Sequence, residues 1–266
     1  MLPMIATLAV CVGCPGNSGG NAGGKSELSE EEIAASNMNE SLKDELEQLN
    51  VLQRKIVKAQ NEQDFESLLP AAQALFDWNK KQESPDEEFG VLCGDAFLLC
   101  GAFENAVASY ELTRKAAPQM SPTLWTRGVA LVALEQYEPA IEQFEAYSKA
   151  TKYDTENSVW HFLAVAKNTD VSTARKSVID AEKDLRGQLK GLDDVMRGEK
   201  DIESHLSKVE RGPDTLDALV AVAVYYRAIG DDSSAKEFIN RAATRGETGY
   251  YRQSLAIRLR DHWYGG

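Results

Sequence analysis

GDAFLLCGAFENAVASYELTRKAAP (Gly94–Pro118) aligns without a gap on GVALVALEQYEPAIEQFEAYSKATK (Gly128–Lys152), and this alignment decides the fold. Gly94 and Gly128 stand thirty-four residues apart, as do Phe103 and Tyr137, Ala106 and Ala140, and Tyr110 and Phe144. A fixed period of this length marks a unit of two helices that buries its apolar face only by stacking on its neighbours. Gly94 and Gly128 let the first helix of each unit approach its neighbour closely, and Ala106 and Ala140 do the same for the second. Phe97, Phe103, Tyr110, Tyr137 and Phe144 fill the space between, and Pro118, which has no N–H, ends the earlier second helix.

The pattern of a small residue, an aromatic, then Ala-x-x-x-aromatic resembles the tetratricopeptide repeat. The resemblance implies an all-α fold: helix pairs stacked into a right-handed solenoid, with an N-terminal helix before it and a C-terminal capping helix after it. The same register, with weaker letters, places repeats at about 53–86 (Ala72, Phe76), 87–120, 121–154, 155–188 (Ala174, Val178) and 216–249 (Ala235). Before the array, Ser29-x-x-Glu32 reads as a capping box, and Leu42, Leu46, Leu49 and Ile56 recur at helical spacing. The stretch 189–215 reads as one or two shorter helices, and YYRQSLAIRLRDHWYGG (Tyr250–Gly266) as a final helix covering the last repeat. The helical array therefore spans 29–264.

The front of the chain is of another kind. Leu2–Val12 is an apolar segment of signal-peptide length, and Val12-Gly13-Cys14 resembles the end of a bacterial lipobox, whose cysteine becomes acylated. Cys11 stands where such boxes carry Leu, and no Lys or Arg precedes the apolar run. On this reading 1–14 is a lipoprotein signal segment and 15–28 a flexible Gly/Ser/Asn-rich tether. An uncleaved N-terminus in a cytoplasmic protein is the alternative. Gly19–Ser26 also satisfies G-x-x-x-x-G-K-S. A phosphate loop, however, follows a buried strand directly and opens a helix within a parallel sheet, whereas Gly13–Ser18 separate the strand-like Met4–Val12 from Gly19 and the chain downstream reads as helical repeats. No nucleotide site is expected.

Chemistry is hard to find in the remainder. The three histidines, His161, His205 and His262, lie in no H-E-x-x-H motif and are not spaced with Cys or carboxylates for a metal. Cys93 and Cys100 are seven apart in a helix, roughly 10 Å by rise alone, too far for a disulfide. Asp193-Asp194 reads as a helix face and Asp231-Asp232 as a turn with a helix cap. A net charge of −13 argues against affinity for nucleic acid. No catalytic residue, metal or cofactor is expected, and the chain is not expected to be an enzyme.

Function is then expected in the surface that the repeats create. The resemblance puts the first helix of each repeat on a concave groove. Its lining would be Glu88, Val91, Asp95, Leu98 and Leu99, then Pro122, Trp125, Val129, Val132 and Ala133, then Glu156, Val159, Leu163, Ala166 and Lys167. Val91, Asp95, Leu98, Trp125, Val129, Val132, Val159 and Leu163 are the candidate partner-binding residues. This mainly apolar groove suits an amphipathic helix or an extended apolar segment. Bacterial repeat lipoproteins of this layout act as adaptors at the cell envelope. That implies a membrane-tethered, non-enzymatic scaffold, with an envelope protease or a cell-wall enzyme among the partner classes. In the alternative, the protein fills its own groove, through the C-terminal HWYGG, the 189–215 helices or a homodimer partner.

Overall fold

Five helices begin at an aspartate whose carboxylate receives a backbone N–H of the first turn: Asp64, Asp86, Asp154, Asp170 and Asp231. Such caps satisfy donors that have no partner inside a helix, and they set where each helix starts. The computed structural model describes residues 30–181, 183–209, 215–245 and 251–265. Among them the chain is all-helical, with no strand. Ser29 and residues 1–28, Cys14 among them, on which the signal-segment and tether expectations fall, lie outside the described residues.

Residues up to Glu45 and residues from Leu46 onward form separate units. The described part of the first belongs to α1 (Glu30–Glu62), with Met38 and Leu42 exposed. In the second unit, Leu46 of the same helix is exposed, whereas Leu49 and Ile56 are buried in the core. The remaining helices of the second unit are α2 (Phe65–Asn79), α3 (Glu87–Cys100), α4 (Phe103–Ala116), α5 (Trp125–Ala133), α6 (Tyr137–Ala150), α7 (Thr155–Asn168), α8 (Val171–Lys176), α9 (Leu192–Arg197), α10 (Glu203–Val209), α11 (Thr215–Ile229), α12 (Asp232–Ala243) and α13 (Tyr251–Tyr264).

The thirty-four-residue register survives in the helix boundaries. The second helices α4, α6 and α8 start at 103, 137 and 171, and α3 and α7 start two periods apart, at 87 and 155. The turns keep it as well: Gly101, Glu135 and Gly230 all take positive φ at the same point of their units. The two glycines act as expected. A Cβ on Gly94 would stand 2.4 Å from the Tyr110 ring, and one on Gly128 would stand 2.5 Å from the Phe144 ring.

Three details depart from the sequence reading. Helix α1 runs unbroken through position 53, so the leading repeat has no boundary there, although Ala72 and Phe76 are buried as that register requires. The first turn of the 121–154 unit is a 3-10 helix (Pro118–Thr123), and α5 begins only at Trp125. Two prolines enforce this, since Pro122 cannot donate into a longer α5. Buried Arg127 then fixes the 3-10 segment by reaching Glu111 on α4 and Gln143 on α6, and Gln143 donates to the Ser121 carbonyl. Finally, α8 stops at Lys176, well short of its counterparts, and Ala174 is its sole buried residue.

The first helices α3, α5, α7 and α11 pack side by side in that order, so the row passes over residues 177–214 without a break. Helix α7 lies at its centre and is buried from Thr155 through Val165. As expected, the intervening stretch holds two short helices, α9 and α10. The C-terminal helix α13 does more than cover the last pair: it packs on α11 and α12 and also reaches α3.

Candidate functional site

Leu255, Ala256 and Leu259 bury one side of α13, and its polar residues do the positioning. Three helix C-termini in the body end on carbonyls with no intrahelical partner, and α13 donates to all three. Gln253 donates to Ala243 O of α12 (3.3 Å), and Arg258 Nε donates to Leu99 O of α3 (3.1 Å). His262 Nε2 lies 2.7 Å from Ala133 O of α5. A carbonyl only accepts, so Nε2 carries the proton there. The Arg258 cation also complements the negative end of the α3 dipole. Leu99 and Ala133 are the same repeat position, one period apart, and both belong to the expected groove lining.

At its other end α13 enters a cluster of charge. Arg252 Nε sits 3.0 Å from Glu156 Oε1 and 2.6 Å from Asp217 Oδ1, so one guanidinium bridges α7 and α11. Arg186, from the loop before α9, binds the same Glu156 carboxylate together with Asp154 and Asp184, the last two at 2.7 Å. Four carboxylates thus share two guanidiniums. Burial opposes both arginine charges, yet the facing carboxylates hold each guanidinium pKa above its ordinary value. Burial likewise opposes charge on Asp184, but hydrogen bonds from Arg186 and the Thr155 N–H hold its carboxyl down at about 2.

Aromatic contacts complete the seat of α13. Trp263 packs 6.2 Å from Trp160 of α7, under the guanidinium of Arg227 from α11 (4.6 Å). His262 meets Phe103 edge-on at 4.9 Å. Arg258 stacks over Phe65 of α2 at 4.2 Å.

Of the candidate groove residues, Leu98, Val129, Val132, Val159 and Leu163 are buried in the core. Val91 and Trp125 are half-buried and pack against it. Asp95 accepts a hydrogen bond from the Tyr110 hydroxyl at 2.6 Å, and burial pushes its carboxyl pKa up. Glu156 holds the most consequential place, at the centre of the charged cluster. Arg186 and Asp184 carried no sequence signal: they lie in an irregular stretch outside the repeat letters.

The other titratable groups are packed ones. Burial raises the Cys93 thiol to about 12 and the Cys100 thiol to about 11, so neither offers a thiolate near neutrality. Asp231 caps α12, while Asp193 and Asp194 pair with Arg197 and Lys200. No group of three or more metal-ligating side chains occurs among the described residues, and no helix among them is long and apolar enough to cross a membrane. No protein-family model and no curated protein sequence matches the chain.

The two buried histidines make stability depend on pH. Burial, with Lys208 nearby, lowers His205 to about 4, and burial lowers His161 despite Glu145 at 3.7 Å. An unfolded histidine takes its proton near 6.5. Between those values the unfolded chain therefore binds more protons than the folded one. The His205 contribution is full above about pH 6.5 and is lost as pH falls toward 4, a change of about 2–3 kcal/mol. Urea midpoints measured from pH 7 to 4.5 should fall more steeply for the native chain than for His205→Gln. Parallel curves would refute this assignment.

Proposed function

We propose that this chain is a non-enzymatic protein-interaction scaffold built on tetratricopeptide-like repeats, its concave face closed by its own C-terminal helix. We further propose that an acylated Cys14 tethers it at the bacterial cell envelope. One observation carries the scaffold reading: α13 lies along the row of first helices and meets it at Leu99, Ala133 and Glu156, three positions of the expected groove. A face organised to hold a helix is what an adaptor needs, and here that face already holds one. The right-handed solenoid belongs to the same proposal. Its support is the shared period of helix starts, left-handed turns and glycine–aromatic contacts. The tether rests on Val12-Gly13-Cys14 and the Gly-rich stretch behind it.

Extraction from gently solubilised native membranes after chemical cross-linking tests both halves. Acyl mass on Cys14, its loss together with release to the soluble fraction in Cys14→Ser, and a stoichiometric cross-linked protein are the expected results. A soluble, unmodified Cys14 would end the tether proposal. Cross-links solely within the chain would move the reading to a self-contained structural protein.

A further inference from the structure

The first-helix row does not depend on α13 to exist, since α3, α5, α7 and α11 pack directly on one another. Beside its apolar side, α13 adds contacts that are polar and directional. It supplies one of the two guanidiniums among four carboxylates, and it donates to carbonyls at the ends of α3 and α5. Without Arg252, Glu156 and Asp217 would each lose a guanidinium partner, with Arg186 remaining beside them. The row therefore calls for an arginine from whatever covers it. The closed state also carries a defect: the hydroxyl of Tyr251, in the first turn of α13, is buried with no hydrogen-bond partner among the described residues. Leaving such a group unpaired opposes closure.

We infer that α13 is a displaceable internal ligand, and that the face beneath it is a docking groove for a partner helix carrying arginines at the places of Arg252 and Arg258. This rests on the scaffold reading and deepens it. The partner's chemistry follows from what α13 presents: one arginine for Glu156 and Asp217, and a second for the Leu99 carbonyl six residues on. An apolar pair between and beyond them matches Leu255 and Leu259, which are buried. A partner with a non-tyrosine residue at the place of Tyr251 avoids the unpaired hydroxyl and gains over the internal helix. While α13 occupies the groove, apparent affinity for any such partner is reduced by the fraction of closed molecules.

The probe is a fluorescein-labelled synthetic peptide with the sequence of residues 249–266, titrated into the full chain and followed by anisotropy. The native chain should bind it weakly. The full chain carrying Arg252→Ala and Arg258→Ala, which loosens its own α13 and leaves the groove intact, should bind it at least ten-fold tighter. A peptide with the same two substitutions should bind neither chain. Equal affinity of the native and loosened chains, or no binding by a loosened chain whose circular dichroism and melting remain cooperative, would overturn the inference. Amide exchange on the native chain gives an independent reading. Amides of 251–264 should exchange through an opening that leaves α11 protected, whereas α13 and α11 exchanging together would show a permanent core element. These outcomes are separable from failure of the scaffold reading, because peptide binding and amide exchange report on α13 in the purified chain, whereas the scaffold reading fails on the absence of a cross-linked protein in native membranes.

Discussion

Gly128→Val is expected to destabilise the protein by about 3 kcal/mol, at the upper end of the overpacking range. A Cβ at Gly128 meets three atoms of the Phe144 ring at 2.5, 2.7 and 3.0 Å. The ring is fully buried and cannot swing away, and α5 is held between α3 and α7. Removing the ring opens the space at its own cost: Phe144→Ala should lose about 3–5 kcal/mol through the cavity it leaves. The double variant tests the contact itself. Its loss should fall short of the sum of the single losses by at least about 1 kcal/mol, because the added methyls then occupy part of the vacated volume. Gly187→Val is the control: its Cβ would meet nothing within 4 Å, and its effect should stay within about 0.5 kcal/mol. Urea unfolding of the native chain and the four variants decides the matter, and strictly additive losses would mean that the glycine and the aromatic do not act as a pair.

The second large effect is expected at Glu156. Glu156→Ala removes the carboxylate that both Arg186 and Arg252 grip, and its side chain is only 6% exposed. Breaking a buried ion pair from one side strands the opposite charge, at about 3–5 kcal/mol. The two guanidiniums are partly exposed, at 23% and 31%, and can regain some water, so about 3 kcal/mol is the expected loss. For a chain of this size that corresponds to roughly 6–12 °C in melting temperature. The exposed Lys58–Glu62 pair, 4.0 Å apart, makes the contrast: Glu62→Ala should change stability by less than about 1 kcal/mol. Equal effects of the two substitutions would mean that the charged cluster is solvated and does not anchor α13.

Several features were legible in the residues because they are local or periodic. The spacing of Gly94, Phe103, Ala106 and Tyr110 against Gly128, Tyr137, Ala140 and Phe144 falls on α3–α4 and α5–α6, where a Cβ on either glycine would meet the Tyr110 or Phe144 ring. Asp231 was legible as a cap from its place after Gly230. Where proline or a shortened helix intervened, the register misled. Pro122 was assigned to a groove helix yet lies in a 3-10 turn, and the 155–188 unit lost most of its second helix after Lys176. The groove positions were named from the register. The register does not say which of them face solvent, and Leu98, Val129 and Val159 are fully buried core residues.

The amino-acid sequence by itself determined the helical class, the thirty-four-residue period and the glycine–aromatic interlocking. Each of these is written in residues that sit in one helix or in neighbouring helices. The tertiary structure alone decided where the last helix goes. Arg252 meets Glu156 across 96 positions, His262 meets Ala133 across 129, and Arg258 meets Leu99 across 159. Contacts of that reach leave no periodic trace along the chain. They arise because the assembled row of first helices presents helix-end carbonyls and a cluster of carboxylates, and the final helix carries donors and cations that pair with them.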